Sequence, residues 1–285
     1  MSLRCALIQM RSGRDMARNF ADAAAMIRDA RARGAAFICT PEMTNIIEPD
    51  RPRLRALARH EHEDESVKGF AALAEELGVW LNIGSLALKG GAEKLVNRSL
   101  LFGPDGIIAA RYDKIHLFDV DLPGGESLRE SHAYEGGTAA VLEALPFGTL
   151  GMTICYDMRF PHLYRSLAKA GATIFTVPSA FTVPTGQAHW HVLLRARAIE
   201  TASFVVAAAQ GGKHESGRET YGHSLLVSPW GEVLAEGGSD PQVLVADLDL
   251  SQVTECRRRI PALDHDRGFT LENLNPQPGI ARSLS

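Results

Sequence analysis

The sequence predicts a layered α/β sandwich with mixed sheets, and two patterns support this. Short β-branched and apolar runs at residues 5–10 and 36–40 flank an amphipathic helical run at 15–33, as in strands alternating with helices. Turn signals at 90–91, 104–106 and 229–231 join strand pairs, which indicates hairpins within the sheets. No linker composition or repeat interrupts residues 1–260. We therefore expect one domain there, followed by a polar tail, 261–285, that is disordered or lies at an oligomer interface.

Hydrophobic periodicity assigns the elements in chain order. The first helix places Met16, Phe20 and Ile27 at helical spacing and ends before Gly34. Residues 44–65 are polar, carry prolines and are predicted as a long loop with room for a short helix. Residues 113–138 lack clear periodicity and are predicted as a second long loop; long loops in compact domains are often functional. Further strands are expected at 79–88, 95–102, 107–112, 149–154, 173–177, 204–210, 221–228, 232–236 and 243–248, and helices at 66–77, 160–170, 187–201 and 251–259.

Composition excludes several functional classes. The 30 basic and 34 acidic residues are interspersed and give a net charge of −4, so no nucleic-acid footprint is expected. No apolar window is long enough for a membrane span, and the N-terminus is predicted as a strand instead of a signal peptide. The cysteines, at 5, 39, 155 and 256, show no paired spacing. They predict a reduced, cytoplasmic protein.

Three ionisable residues directly follow predicted strands: Glu42, Lys114 and Cys155. Cys155 also precedes a predicted helix, whose N-terminal dipole favours a thiolate. If the three strand ends meet at one sheet edge, they supply a general base, a cation for an oxyanion and a nucleophile. The backbone N–H of Tyr156 is a natural second oxyanion donor. Each residue alone also has a simpler interpretation: a loop carboxylate, a surface lysine and a small buried thiol.

Three dispersed segments resemble the signatures of the nitrilase superfamily of carbon–nitrogen hydrolases: Pro41-Glu42, Tyr112-Asp-Lys114-Ile-His116 and Gly151-Met-Thr-Ile-Cys155-Tyr-Asp-Met-Arg-Phe. Their order and separation match, and the similarity covers roughly residues 3–260. The resemblance implies a four-layer α-β-β-α sandwich and a Glu42–Lys114–Cys155 triad. It also implies a homodimer or homotetramer and a reaction without a cofactor.

The same resemblance implies further site residues. Glu130 matches a second active-site glutamate and is expected to support acid–base chemistry. Two carboxylates near one thiol would repel each other, so one of them should have a raised pKa. Tyr156 and Phe181 are the predicted oxyanion- and substrate-binding residues.

The segments at 193–201 and 205–210 are most similar to the Nit branch, which contains amidases of deaminated glutathione and ω-amidases. The implied reaction is hydrolysis of a small linear amide with a 2-oxoglutaramyl group, through a thioester acyl-enzyme. Because that substrate is anionic, Lys213, Arg218 and Arg159 are candidate cations. An ω-amidase or a broader aliphatic amidase with the same triad, a catalytically silent scaffold that binds metabolites or proteins, and a metal-dependent hydrolase are the alternatives.

The histidines predict no metal site. His189 and His191 stand two residues apart on a predicted helix and so do not share a face, while His116 and His223 are expected to support loop geometry. At the position of His191 many relatives carry Glu, so pocket bracing or substrate choice should differ there. Asp157 and Arg159 are expected to form an arginine–carboxylate pair that fixes the turn after Cys155.

Overall fold

The computed structural model describes residues 2–91, 94–122, 125 and 127–270. Strands alternate with helices over residues 2–89 and again over residues 148–207, and runs of strands follow each of these stretches. The strands are β1 (Ser2–Gln9), β2 (Phe37–Cys39), β3 (Trp80–Lys89), β4 (Leu95–Phe102), β5 (Ile108–Asp113), β6 (Asp119–Asp121), β7 (Ser127–Arg129), β8 (Tyr134–Glu135), β9 (Val141–Leu145), β10 (Gly148–Met152), β11 (Ile174–Thr176), β12 (Phe204–Ala207), β13 (Gly211–Lys213), β14 (Glu219–Tyr221), β15 (Leu225–Val227), β16 (Val233–Glu236) and β17 (Gln242–Asp249). The helices are α1 (Met16–Ala32), α2 (Arg51–Leu57), α3 (Glu65–Leu77), α4 (Pro161–Lys169), α5 (Val183–Thr201) and α6 (Ser251–Arg259).

The strands form two mixed sheets. The first has the order β17-β1-β2-β3-β4-β5, with β8 beside β4, and the second has the order β16-β15-β12-β11-β10-β9. Parallel pairs such as β1–β2 and β10–β11 coexist with antiparallel pairs such as β1–β17 and β9–β10. This confirms the predicted mixed α/β class. Two small ribbons, β6–β7 and β13–β14, lie outside the main sheets.

Strand β1 shows how the first sheet is buried on both faces. Cys5 and Leu7 belong to the hydrophobic cluster shared with the second sheet, whereas Ala6 and Ile8 belong to the cluster formed with α1 and α3. Because successive side chains of a strand point to opposite faces, this alternation places the first sheet between the second sheet and two helices.

The second sheet is covered on its outer face by α4 and α5. The central cluster continues from Met152 and Phe175 of the sheet to Tyr164 of α4 and Trp190 of α5, all fully buried. The layers therefore run helix, sheet, sheet, helix. This confirms the four-layer α-β-β-α sandwich.

Local sequence sets most helix ends, and the observed boundaries lie close to the predicted ones. The carboxylates of Asp15 and Asp64 cap α1 and α3, and Gly78 ends α3 in the left-handed conformation. The predicted bounds of β4 and α6 are confirmed. Helix α5 begins four residues before its predicted start, because Pro184 is accommodated in its first turn. Strand β9 was not predicted.

The two long segments also contain regular structure. Helix α2 lies within 44–65, and β6, β7 and β8 lie within 113–138. Of the tail, residues 261–270 are described, and Asp266 pairs with Arg165 and Lys169 of α4. Residues 271–285 lie outside the described residues, so the interface or disorder of the tail stays a prediction. No helix in the described part of the chain is long and apolar enough to cross a membrane.

Burial in this sandwich predicts a contrast between two isoleucines. Ile8 is fully buried between the first sheet and the helices, while Ile107 is 66% exposed. We expect Ile8→Ala to lower the free energy of unfolding by about 2–5 kcal/mol, because it leaves a cavity that the sheet fills only partly. The control Ile107→Ala should change it by less than about 0.5 kcal/mol. Urea unfolding measures both values; equal effects would contradict the layer assignment.

Candidate active site

The three candidate catalytic residues come from both sheets. Glu42 lies three residues beyond β2 and Lys114 directly follows β5, both in the first sheet, whereas Cys155 lies three residues beyond β10 in the second. The structure brings all three to the floor of one cavity. The prediction of a single sheet edge was therefore wrong, because the site forms where the ends of two stacked sheets face each other.

Lys114 lies between two carboxylates. Its Nζ atom is 2.8 Å from Oε1 of Glu42 and 2.9 Å from Oε2 of Glu130, and its side chain is only 2% exposed. Burial disfavours the ammonium, but attraction by Glu130 and Glu42 outweighs it and raises the pKa of Lys114 well above its ordinary value. Lys114 is therefore charged at neutral pH.

The carboxylate of Glu130 accepts hydrogen bonds from three nitrogen atoms of other residues. Lys114 binds both of its oxygens, Nδ2 of Asn97 lies 3.1 Å from Oε1, and the backbone N–H of Phe118 lies 2.7 Å from Oε2. Asn97 also donates to Glu42 at 2.9 Å and so bridges the two acids. We had not predicted Asn97. The available signal was a polar side chain in an apolar strand, where it must find a buried partner.

Glu42 is ionised although it is buried. Burial favours its neutral form, but the Lys114 ammonium and hydrogen bonds from Lys114, Cys155 and Asn97 outweigh burial and lower its pKa. The backbone N–H of Ala180 donates to its second oxygen at 2.8 Å. The expectation of a raised pKa is therefore wrong for Glu42, because a cation lies between the two acids.

Cys155 occupies a strained turn. Its φ of 47° is in the left-handed region, and its backbone N–H donates to the carbonyl of Pro178 at 2.9 Å. A short 3-10 helix spans Cys155–Arg159, and α4 begins only at Pro161. The predicted strand-to-helix junction is present, but the sulfur lies before a single 3-10 turn instead of the α-helix, so the helix dipole acts on it less than expected.

The thiol of Cys155 is neutral in the resting site. Burial raises its pKa, the Glu42 carboxylate raises it further, and the Lys114 ammonium opposes both. The helix dipole was expected to favour a thiolate, but burial and the Glu42 carboxylate favour the neutral thiol here. An ionised carboxylate that lines the same cavity as a neutral thiol is placed to accept its proton as the sulfur attacks.

Asp157 connects the turn that begins at Cys155 to the segment around Lys114. Its fully buried carboxylate accepts hydrogen bonds from Tyr112 Oη at 2.6 Å, from the His116 backbone N–H at 3.0 Å and from the Ile154 N–H at 2.9 Å. The predicted pair with Arg159 is wrong. Arg159 instead lies over the aromatic rings of Tyr156 and Phe181 and contacts His189.

Gly84 allows the Glu42 segment to approach β3. A Cβ atom at this position would lie 2.0 Å from the carbonyl oxygen of Thr40 and 2.4 Å from Cβ of Pro178. Pro178 is the residue whose carbonyl receives the Cys155 N–H. A side chain at Gly84 would therefore displace both the acid and the nucleophile segments.

The cavity above the three residues has a volume of about 750 Å³. Glu130 and Phe181 line it as predicted, whereas the Tyr156 ring packs against Phe118 and Phe160 and does not line it. Among the candidate cations, Arg218 lines the cavity but Lys213 and Arg159 do not. Arg51 and Arg129, which we had not predicted, also line it.

The charges of this site predict how the thiol titrates. Removing the anion by Glu42→Gln should lower the pKa of Cys155, and removing the cation by Lys114→Met should raise it. In the wild type, alkylation by iodoacetamide should accelerate only above the pH at which free cysteine ionises, about 8.5. Intact-mass kinetics of alkylation against pH measure these shifts, with circular dichroism as the check on folding. An unchanged or higher pH midpoint in Glu42→Gln would contradict the assigned electrostatics.

Comparison of the chain with known proteins identifies its family. Residues 4–258 match the family "Carbon-nitrogen hydrolase". The chain is 40% identical to the deaminated glutathione amidase of Bos taurus over 276 residues, which cover 94% of this chain and 83% of that protein. It is 36% identical to the deaminated glutathione amidase of Yersinia enterocolitica over 265 residues, which cover 92% of both.

Solved structures agree with this relationship. The crystal structure of the Caenorhabditis elegans NitFhit protein matches with a TM-score of 0.87 and 38% identity, over 93% of this chain and 65% of that longer one. Saccharomyces cerevisiae Nit3, of branch 10 of the nitrilase superfamily, matches with a TM-score of 0.83 and 29% identity, over 91% of this chain and 94% of that one. The chain belongs to the carbon–nitrogen hydrolase family and is a hydrolase of carbon–nitrogen bonds other than peptide bonds.

Proposed function

We propose that this hydrolase cleaves the amide bond between the 2-oxoglutaryl group and cysteinylglycine in deaminated glutathione. The observation that carries the proposal is a cavity of about 750 Å³ with Cys155, Glu42 and Lys114 at its floor and arginines in its wall. This volume lies in the range that holds drug-sized ligands and exceeds the needs of a very small amide. Relatives of similar length carry the name deaminated glutathione amidase, which supports the same substrate.

The proposed chemistry begins with proton transfer. Glu42 takes the thiol proton as the Cys155 sulfur attacks the amide carbonyl carbon, which forms a carbon–sulfur bond and an oxyanion. Lys114 and the backbone N–H of Tyr156 stabilise that oxyanion. When it collapses, the carbon–nitrogen bond breaks, Glu42 gives its proton to the leaving amine, and a thioester remains. Glu42 then takes a proton from water as the water oxygen attacks the thioester carbon. When the carbon–sulfur bond breaks, Glu42 returns that proton to the Cys155 sulfur, which releases the acid and restores the thiol.

We propose that Glu130 positions Lys114 and does not itself carry protons. Its oxygens are occupied by Lys114, Asn97 and the Phe118 N–H, all of them donors. These hydrogen bonds hold the Glu130 side chain in place, and it in turn fixes the ammonium against the carbonyl of the substrate. This role replaces the acid–base support that we expected for Glu130.

A substitution at Glu130 separates the two roles. We expect Glu130→Gln to lower kcat by about 100-fold, because the ammonium loses its fixed position, while both limbs of the pH–rate profile keep their midpoints. The matched control is Glu143→Gln, outside the cavity, which should leave kcat near the wild-type value. Steady-state kinetics across pH provide the readout. Loss of one limb in Glu130→Gln would instead make Glu130 a proton carrier.

Two arginines are available for substrate carboxylates. Arg51 and Arg218 line the cavity, and neither has a carboxylate within salt-bridge distance among the described residues, whereas Arg129 is paired with Asp121. The guanidinium of Arg218 is held by the carbonyl of Ala180, next to the site. Deaminated glutathione carries a carboxylate at each end, so two guanidinium groups without a carboxylate partner in the described part of the chain fit its charge.

Substrate kinetics test the proposal. We expect kcat/KM for deaminated glutathione to exceed that for 2-oxoglutaramate and for propionamide, and Cys155→Ala to abolish all three. Arg218→Gln should reduce kcat/KM for the dianion by about tenfold, the loss of roughly 1.4 kcal/mol, with little effect on neutral propionamide. Lys213→Gln, on the same ribbon but outside the cavity, is the control. A preference for 2-oxoglutaramate would indicate an ω-amidase, and a lack of turnover in the whole panel would indicate a silent scaffold.

We also infer a homodimer or homotetramer in a reducing, cytoplasmic environment. Exposed apolar side chains on α5 and near it support association: Val192, Ile199, Trp230 and Ile260. All four cysteines are free and buried, which supports a compartment that keeps thiols reduced.

A further inference from the structure

A cluster of metal-binding side chains lies outside the active-site cavity. His191 on α5, His223 after β14 and Glu236 at the end of β16 each offer one ligand atom, and these atoms lie within 4.8 Å of one another. Nε2 of His191 is 2.8 Å from Oε1 of Glu236, and Nδ1 of His223 is 3.4 Å from the same oxygen. None of the three residues lines the cavity that holds Cys155.

The fold fixes the imidazole of His223 before any ligand arrives. Its backbone N–H donates to the carbonyl of Gly238 at 2.8 Å, and its carbonyl accepts from the indole N–H of Trp190 at 2.7 Å. Its φ of 53° is in the left-handed region, a strained conformation that needs such support. Its ring stacks on Tyr221 with centroids 4.2 Å apart. Trp190 is fully buried and immediately precedes His191, so one helical turn positions both histidines.

The protein itself does not satisfy this cluster. The side chains of His191 and Glu236 are hydrogen-bonded to each other. Nδ1 of His223, in contrast, is buried without a hydrogen-bond partner among the described residues. This nitrogen lies 3.4 Å from the carboxylate oxygen that His191 contacts but makes no hydrogen bond to it, so its lone pair is available to a metal ion. A divalent cation between the three ligand atoms would provide one.

We propose that His191, His223 and Glu236 bind a transition-metal dication such as Zn²⁺, with water completing the coordination. Two imidazoles and one carboxylate form a recognised zinc ligand set. With metal–ligand bonds of about 2.0–2.2 Å, tetrahedral ligand atoms lie about 3.3 Å apart. The His223–Glu236 separation of 3.4 Å already fits, and the 2.8 Å separation has to widen by about half an ångström. The Glu236 side chain is 41% exposed and is free to make that adjustment.

The position of the site assigns it a structural role. The three ligands join α5 of the outer helix layer to β16, the edge strand of the second sheet, and to the segment after β14. A metal ion there would cross-link helix α5 to both sides of the β15–β16 hairpin. Bound zinc should therefore stabilise the fold, since it binds the folded state and the unfolded chain lacks the preformed site.

Zinc titration of purified, metal-free protein tests the proposal. The catalytic thiol is a competing zinc ligand, so the experiment uses the Cys155→Ala protein as its reference. We expect calorimetry to give one Zn²⁺ per chain and zinc to raise the melting temperature. His191→Gln and Glu236→Gln, added separately to Cys155→Ala, should weaken zinc binding about 10–100-fold or more, since losing even an outer-shell partner has that effect. Circular dichroism of each variant checks its fold.

A neighbouring histidine supplies the matched control. His189→Gln lies on the same helix, two residues from His191 and on another face, and should leave zinc affinity unchanged. Co²⁺ gives a second readout, because tetrahedral coordination produces visible d–d absorption that His191→Gln should remove. Undetectable zinc binding, or equal affinity in the reference, His191→Gln and Glu236→Gln proteins, would overturn the proposal. None of these readouts depends on amide turnover.

Discussion

The buried ammonium of Lys114 between Glu42 and Glu130 is the interaction on which the site depends. Each of these ions loses several kcal/mol of hydration on burial, and only close opposite charges with complete hydrogen bonding offset that loss. The structure supplies both, through separations of 2.8 and 2.9 Å and through the Asn97 amide that bridges the two acids. Removing one partner would leave a buried charge uncompensated. Loss of one partner should therefore lower stability as well as activity.

The charge balance of the trio also determines the state of the nucleophile. The buried sulfur lies beside the Glu42 carboxylate, which raises its pKa, and the Lys114 ammonium, which opposes that rise. Such surroundings hold the proton on Cys155 until a carbonyl carbon is available. Glu42 stays ionised because of Lys114 and is ready to receive that proton. Cys155 thus gives its proton to Glu42 only at the moment of attack, which protects a resting thiol from unwanted reactions.

Contacts between the two sheets maintain this arrangement. Asp157, in the turn after β10, binds Tyr112 and His116 of the lysine segment, and the absence of a side chain at Gly84 lets Thr40 and Pro178 lie close together. Both contacts fasten a segment of one sheet to a segment of the other. Displacement of either sheet by an ångström would separate Cys155 from Glu42 and Lys114, so the stacking of the sheets acts directly on catalytic geometry.

The sequence alone determined the alternation of strands and helices, most element boundaries and the residue types of the site, because periodicity, caps and motif spacing are local properties. Only the tertiary structure decided that Glu42 and Lys114 meet Cys155 across two sheets, that Asn97 joins the acids, and that Asp157 binds Tyr112 instead of Arg159. It also decided that the thiol is neutral and that His191 meets His223 and Glu236. These outcomes depend on burial and on contacts between distant segments, which arise only when the layers pack.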